Sequence, residues 1–322
     1  LTMGTATFYA DDYTLTVMDV ASNVWGELTI AKGTVRMNVK DALPPTASIR
    51  MGLDYGPLGT LDLNGFDQVT ARLYNGTKNT GMRVVTSPTP ATLTINQSLA
   101  SSSFEGVFTN AISVVKSGTG TMILTNGVSS NTGSYTVSNG TLVVATTARL
   151  SNSTNIVIAG GTLELRATDA LSDNATLAIE DGGAKVNVNA GLNETVNKLF
   201  LGGVQQPSGT YGATGSGAMH IDNDHFSGTG MITVMSNPAI IPVSATWDAD
   251  GGADTLLSTA TNWVDDTVPA FDGTTLAVFA TGGITATVDT AASLYGMTFN
   301  ADTNFSVASG AGVLTNGQGG IF

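Results

Sequence analysis

The 322-residue chain is 42% hydrophobic but only 11% charged, against roughly 25% in an ordinary soluble domain. Its 12 basic and 25 acidic residues give a net charge of −13, which disfavours binding to nucleic acid or to an anionic membrane surface. No apolar run approaches the ~20 residues of a membrane helix, and the absence of cysteine excludes disulfides and thiolate metal sites. The 39 glycines, with abundant threonine, serine and asparagine, indicate many short strands joined by turns.

Residues 1–115 are predicted to form degenerate rungs of a β-solenoid, a coil of strands in which each lap of the chain stacks on the one before. Gly-Thr followed by alternating apolar and polar residues occurs at 33–39, and a shorter copy occurs at 59–63. Such period-two alternation is typical of a half-buried strand. The proline-bearing segments 44–56 and 82–90 are interpreted as insertions between rungs.

Residues 116–237 contain the clearest repeats. The phrase begins at Gly120, Gly140 and Gly161, and a weaker copy begins at Gly183, so the spacings are 20, 21 and 22 residues. A near-constant period of this size indicates a repeat architecture. Strand–turn–strand signals of this kind are compatible with stacked hairpins or with a coil of strands. The coil is favoured because a strand pair every ~21 residues leaves room for a third side, and no window has sustained helical periodicity.

In such a coil, alternate residues of each rung point inward and stack into one apolar column. Glycine and asparagine are expected at the corners, where a positive φ is needed and a Cβ is costly. The predicted column consists of Leu142, Val144, Leu163, Leu165, Val186 and Val188.

Several segments resemble the autotransporter-associated β-strand repeat of bacterial surface proteins and the modules that flank it. The segments that carry the resemblance are 59–68, 113–125, 135–144, 208–220, 226–234 and 246–254. The resemblance implies a right-handed β-helix in an exported, repetitive surface or extracellular protein, without catalytic residues. It also implies a passenger-type region rather than a translocator.

The last stretch, residues 238–322, is predicted to be a Trp-containing module-opening segment that returns to β-strands. A proline at each end of 237–242 suggests a short linker before it. Strands are predicted at 275–279, 284–288 and 297–299, and the one helical signal, at 258–263, predicts a single turn. Because the sequence begins with leucine, we expect a mature or excised piece of a longer precursor.

The two ends of a solenoid expose unpaired strand edges. We therefore expect head-to-tail self-association through residues near the ends of the chain: Leu1, Phe8, Ile321 and Phe322. A contact of this kind does not close on itself and makes filaments. Covalent tandem repetition in a giant precursor is the alternative explanation of a module cut in mid-pattern.

A calcium loop is one candidate for bound metal. Asp248, Asp250 and Asp254 lie in a glycine-rich segment with oxygen ligands at the spacing that begins such a loop, but the later bidentate glutamate is missing. An acidic turn is the preferred interpretation.

A second candidate consists of His220, Asp222, Asp224 and His225, which alternate strand positions could bring together around a metal. The pattern is similar to a structural segment of the same modular proteins, and we prefer that interpretation. Neither a metal nor another cofactor is predicted.

Catalysis is not predicted either. A polysaccharide hydrolase needs two facing carboxylates, and a lyase needs a basic residue beside its carboxylates; the 12 basic residues show no such cluster in the sequence. Two histidines without a Gly-x-Ser-x-Gly elbow give little support for Ser-His-Asp chemistry. Trp25, Trp247 and Trp263 are predicted to be packing anchors rather than a sugar-stacking platform.

The sequence thus predicts a non-catalytic, extracellular structural rod that associates with itself and binds no nucleic acid and no membrane. An adhesin or a module that binds a cell-surface glycan is the second hypothesis. A polysaccharide-cleaving enzyme is the third.

Overall fold

The computed structural model describes residues 6–8, 15–52, 59–76, 83–280, 284–299 and 305–321. The chain divides into two compact units, unit 1 (Leu1–Pro238) and unit 2 (Ala239–Phe322). The described strands form stacked parallel coils, about 13 turns in the two units together, so the predicted all-β solenoid is confirmed. In the same part of the chain, no helix is long and apolar enough to cross a membrane.

Unit 1 consists of short strands that recur once or twice in every lap of the chain. In chain order they are β1 Ala6–Phe8, β2 Leu15–Met18, β3 Glu27–Ile30, β4 Gly33–Met37, β5 Ser48–Met51, β6 Gly59–Asp62, β7 Gln68–Thr70, β8 Arg72–Asn75, β9 Val84–Asn96, β10 Ser101–Phe104, β11 Val107–Ser117, β12 Thr121–Ser129, β13 Tyr135–Val137, β14 Thr141–Leu150, β15 Asn155–Ile158, β16 Thr162–Leu165, β17 Thr176–Ile179, β18 Lys185–Val188, β19 Asn193–Val196, β20 Lys198–Leu201, β21 Val204–Gln205, β22 Gly209–Gly212, β23 His220–Ile221, β24 Phe226–Gly228 and β25 Met231–Val234.

These strands form four sheets that run along the stack. Sheet I has the order β1-β3-β5-β8, and sheet II has the order β10-β12-β14-β16-β18-β24. Sheet III has the order β2-β4-β6-β9-β11-β13-β15-β17-β20-β21, with β7 also paired to β9. Sheet IV has the order β19-β25-β22-β23. Consecutive strands of a hairpin would be antiparallel neighbours, whereas β13 pairs in parallel with β15, one lap later, so the coil is confirmed over the hairpin stack.

The register of sheet II confirms the predicted apolar column. Leu142 lies opposite Leu163, which lies opposite Val186, and all three are fully buried or nearly so. Val144, Leu165 and Val188 follow in the same way two residues later. Because these inward positions are apolar in every strand from β12 to β18 of sheet II, each side chain packs on its counterpart in the neighbouring lap.

Glycine marks the predicted corner directly before β12, β14 and β16 of sheet II. Gly140 has a φ of 65°, which a residue with a Cβ adopts only at a cost, and an added Cβ would lie 2.4 Å from the carbonyl oxygen of Gly120. The corner is therefore specific for glycine for two reasons, its backbone conformation and the close approach of the neighbouring lap.

The predicted insertions at 44–56 and 82–90 contain strands, which corrects the sequence interpretation. β5 lies inside the first segment, and β9 runs through Pro88 and Pro90. Proline is tolerated there because residues 88–90 are exposed, close to a register shift in the ladder with β11. The predicted boundary at 115/116 falls within β11, and the division of unit 1 at that point stays a prediction.

The last laps of unit 1 depart from parallel pairing. β20 and β21 form an antiparallel pair, and β22 is antiparallel to β25. The period-two pattern of the sequence does not indicate this reversal, which involves strands between β20 and β25.

Unit 2 repeats the parallel pattern with its own core. Its strands are β26 Val243–Trp247, β27 Thr275–Phe279, β28 Ile284–Val288, β29 Ala292–Phe299, β30 Phe305–Ser309 and β31 Leu314–Ile321, and its 3-10 turns are Ala260–Asn262 and Val264–Asp266. Sheet V has the order β26-β27-β29-β31, and sheet VI pairs β28 with β30. The strands predicted at 275–279, 284–288 and 297–299 are confirmed, as is the single helical turn predicted at 258–263.

Leu163→Ala is expected to lower the free energy of unfolding by about 2–5 kcal/mol, because it leaves a cavity in the middle of the buried column. Thr162→Ala, one residue earlier and on the outer face, should cost less than about 1 kcal/mol. Urea denaturation of the two variants measures the difference. Equal losses would contradict the inward and outward assignment of these two positions.

Candidate functional site

The residues predicted for self-association lie at the margins of the described structure. Leu1 and Phe322 fall outside the described residues, as does the side chain of Phe8, whose backbone ends β1. Ile321 ends β31 and is 61% exposed. Its role, like that of the other three, stays a prediction.

Unit 1 has an open cleft of about 320 Å³ in which acidic and basic groups meet. The cleft is lined by Glu180, Asp181, Gly182, Gly183, Lys185, Asp224 and His225. One wall is formed by residues 180–185 and the other by residues 224–225. The two walls come together because Val186 of β18 lies opposite Phe226 of β24. The expectation that no basic group lies beside the acids is therefore wrong for this cleft. The reason is that β18 pairs directly with β24, and residues 189–225 lie outside this ladder.

His225 joins the two walls of the cleft. Its Nδ1 lies 2.8 Å from Oδ2 of Asp222, and its Nε2 lies 3.2 Å from Oδ1 of Asp181. Partial burial opposes ionisation of Asp222, but hydrogen bonds from His225 and from the backbone hold the pKa of this carboxyl below its ordinary value. Because both ring nitrogens already face carboxylates of the chain, neither is open to a metal or to a substrate in this arrangement. The geometry is that of a structural contact in which His225 joins the two walls of the cleft.

The candidate metal group of four residues, which the sequence analysis did not prefer, does not converge. His220 stacks on Tyr211 with ring centroids 4.5 Å apart, whereas Asp222 and His225 contact each other. Across the described ranges, no group of three or more histidine, aspartate or glutamate side chains is arranged to hold a metal ion.

The candidate calcium loop of unit 2 uses its carboxylates to stabilise the turn. Asp254 accepts a hydrogen bond from the backbone N–H of Leu256 at 2.9 Å and another from the hydroxyl of Thr259 at 2.8 Å. Oδ1 of Asp248 accepts a longer one, at 3.4 Å, from the N–H of Asp250. Self-capping of this kind is typical of an acidic turn.

The three tryptophans are buried, in agreement with the packing interpretation. Trp25 is 8% exposed, and Trp247 and Trp263 are 0% and 1% exposed. In unit 2 the two rings meet edge to face with centroids 5.2 Å apart, and Nε1 of Trp263 donates to the carbonyl of Leu257 at 2.9 Å. Rings in this position offer no face to a sugar.

Glu194 is a buried acid that the sequence analysis did not single out. Its side chain is fully buried in β19, and its two oxygens accept the backbone N–H groups of Ala170 and Leu171 at 3.1 and 2.7 Å. Burial raises the pKa of this carboxyl to about 7, more than the two hydrogen bonds lower it, and Asp169 and Asp173 raise it further. The only sequence signal was an acidic residue at an inward position of a strand.

Lys116 is a buried base that hydrogen-bonds to the backbone of a turn, as Glu194 does elsewhere in unit 1. Its Nζ donates to the carbonyls of Ser117 and Gly118, both at 2.9 Å, and of Asn139 at 3.0 Å. Burial lowers the pKa of this ammonium to about 8. Lys116 therefore satisfies backbone carbonyls at a turn and connects two laps.

Comparison with known proteins finds no relative: no protein-family model, no curated protein and no solved structure matches the chain. The protein is therefore defined by its fold as a β-solenoid. Its resemblance to the autotransporter-associated repeat stays a sequence-based proposal.

The raised pKa of Glu194 predicts a pH-dependent stability. The unfolded carboxyl ionises near pH 4.5 and the folded one near pH 7, so the stabilising contribution is complete below about pH 4.5 and is lost as the pH rises through 7. Glu194→Gln, which does not ionise, should remove this loss. The measurement is the difference in urea midpoint between wild type and variant at several pH values.

Glu180→Gln is the control for this experiment, because it changes an exposed carboxyl in the same unit. The difference between Glu194→Gln and wild type should change steadily between about pH 4.5 and 7, whereas that of the control should stay flat. Parallel profiles for wild type and Glu194→Gln would refute the assignment.

Proposed function

We propose that this protein is a non-catalytic structural β-solenoid of the cell exterior that assembles head to tail into a filament, sheath or surface layer. The observation that carries the proposal is a pair of uncharged strand edges left unpaired in the described structure.

The first edge is β2 and the second is β31. In the described part of the chain, β2 pairs only with β4 and presents Leu15 and Val17, which are 50% and 47% exposed. β31 pairs only with β29, in a ladder with one register shift between Leu294 and Gly296, and it contains no charged residue. Natural proteins usually guard such edges with charge, proline or a covering segment. Unguarded edges favour pairing with a second copy.

The direction of pairing favours an open assembly. The ladders β2–β4 and β29–β31 are both parallel. Each copy carries both edges, so a copy that pairs its β2 with the β31 of another copy still has its own β31 unpaired. A heterologous contact that repeats in this way forms a filament instead of a closed dimer.

Further features support a structural role and a location outside the cell. The chain lacks cysteine and has few charges, and its repeat phrases resemble those of exported surface proteins. Both ring nitrogens of His225 are held by carboxylates, which argues against acid–base catalysis in the cleft. The buried tryptophans give no support to an adhesin that would use them.

Lysines placed on either edge are expected to prevent assembly, because each new copy would have to bury unpaired charges. Leu15→Lys with Val17→Lys alters β2, and Thr315→Lys with Gln318→Lys alters exposed positions of β31. We expect the wild type to form filaments that grow with protein concentration in electron micrographs and in sedimentation velocity. Either double variant should remain monomeric.

The matched control is Val128→Lys with Asn155→Lys, which adds the same charge at exposed positions of interior strands β12 and β15. This variant should assemble like the wild type. A wild-type protein that stays a monodisperse monomer at the highest attainable concentration would overturn the proposal, as would equal loss of assembly in the control.

A further inference from the structure

The outer face of sheet I carries a concentrated group of polar side chains, here called the arginine face. It is made of the outward residues of β3, β5 and β8, whose inward neighbours Leu28, Ile49 and Leu73 are fully buried. The arginine face consists of Glu27, Thr29, Ser48, Arg50, Arg72 and Tyr74.

Tyr74 lies at the centre of this face and positions its neighbours. Arg50 lies directly opposite Tyr74 in the ladder between β5 and β8, and the guanidinium carbon of Arg72 is 4.0 Å from the centroid of the Tyr74 ring. The Tyr74 hydroxyl donates to Oε2 of Glu27. Stacking and the hydrogen bond together fix the ring and one guanidinium before any ligand arrives.

The two arginines have no carboxylate partner among the described residues. Nε of Arg50 and Nε of Arg72 are both shielded from solvent and make no hydrogen bond. Glu27, the acid of this face, accepts from Tyr74. Two neighbouring guanidinium groups without an acid partner favour an external oxyanion, which their terminal Nη donors would bind.

We propose that the arginine face binds the carboxylate or sulfate groups of an acidic polysaccharide. A guanidinium presents two parallel donors that match the two oxygens of such a group. Arg50 lies opposite Tyr74 and Arg72 lies opposite Ser48, so the two arginines are diagonal neighbours on adjacent strands, roughly 7–8 Å apart. Ser48 adds a hydroxyl beside Arg72.

The observations favour this ligand over nucleic acid. Binding to a phosphate backbone relies on many basic contacts along a stripe, whereas this face offers two arginines. The site is on the outward face of sheet I, whereas the assembly proposed above uses strands of sheets III and V, so the two proposals are independent.

The test is isothermal titration calorimetry of the full chain with four probes: an oligogalacturonate, a sulfated heparin oligosaccharide, a neutral maltohexaose and polyglutamate. We expect at least one acidic oligosaccharide to bind, and added salt to weaken its binding. The carboxylated and sulfated probes distinguish the two oxyanions. Maltohexaose and polyglutamate should not bind.

Arg50→Gln with Arg72→Gln should weaken that binding by about tenfold or more, because both pairs of parallel donors are lost. Arg50→Lys with Arg72→Lys keeps both charges but not the planar fork, and should still weaken it several-fold. The matched control is Arg149→Gln with Arg166→Gln, which removes one half-buried and one exposed arginine elsewhere in unit 1 and should bind like the wild type.

Unfolding midpoints of all variants, compared with wild type, separate loss of the site from loss of the fold. The proposal is overturned if no acidic oligosaccharide binds, if polyglutamate binds as tightly as the sugar, or if a folded glutamine variant binds as well as wild type. If the glutamine variant fails to fold, the lysine variant decides by the same criterion.

Discussion

The parallel backbone hydrogen bonds between successive laps are the interaction on which both units depend. A parallel neighbour can only be reached by a long crossover, and in a solenoid the remainder of the lap supplies it. Each lap must then repeat the same lateral path at ~4.8 Å from the last, which forces like residues into vertical rows. The constraint is strict enough that a Cβ at Gly120 would lie 1.7 Å from the carbonyl oxygen of Leu99.

Corners cost free energy in this arrangement, because the chain leaves the ladder there and its backbone N–H and C=O groups lose their partners in the neighbouring lap. The protein meets this cost with buried charged side chains of both signs. Glu194 accepts two N–H groups at one corner, and Lys116 donates to three carbonyls at another. Their opposite pKa shifts have one cause, since burial disfavours the charged form of each. Both groups are structural, although perturbed ionisable residues often mark functional sites.

Function in such a fold is confined to two kinds of surface. Inward positions are buried, whether apolar or polar, so only the strand edges and the outward side chains can meet a partner. The proposed assembly uses the edges β2 and β31, where backbone groups are available. The proposed polysaccharide site uses outward residues such as Arg50 and Arg72, which the ladder makes diagonal neighbours on adjacent strands. The fold permits both roles, and the residues at each surface decide the chemistry.

The sequence by itself determined the local pattern: alternation gave the inward positions of sheet II, and the spacing from Gly120 to Gly140 gave the length of a lap. Only the tertiary structure decided which laps become neighbours. It brought Asp181 into contact with His225, which lies 44 residues later in the chain. It also placed Glu194 within hydrogen-bond distance of the turn at Leu171, which is formed earlier in the chain. The physical reason is that alternation and glycine placement act within a few residues of one another. The pairing of distant laps instead depends on loop lengths and on packing summed over the whole stack, which no single segment encodes.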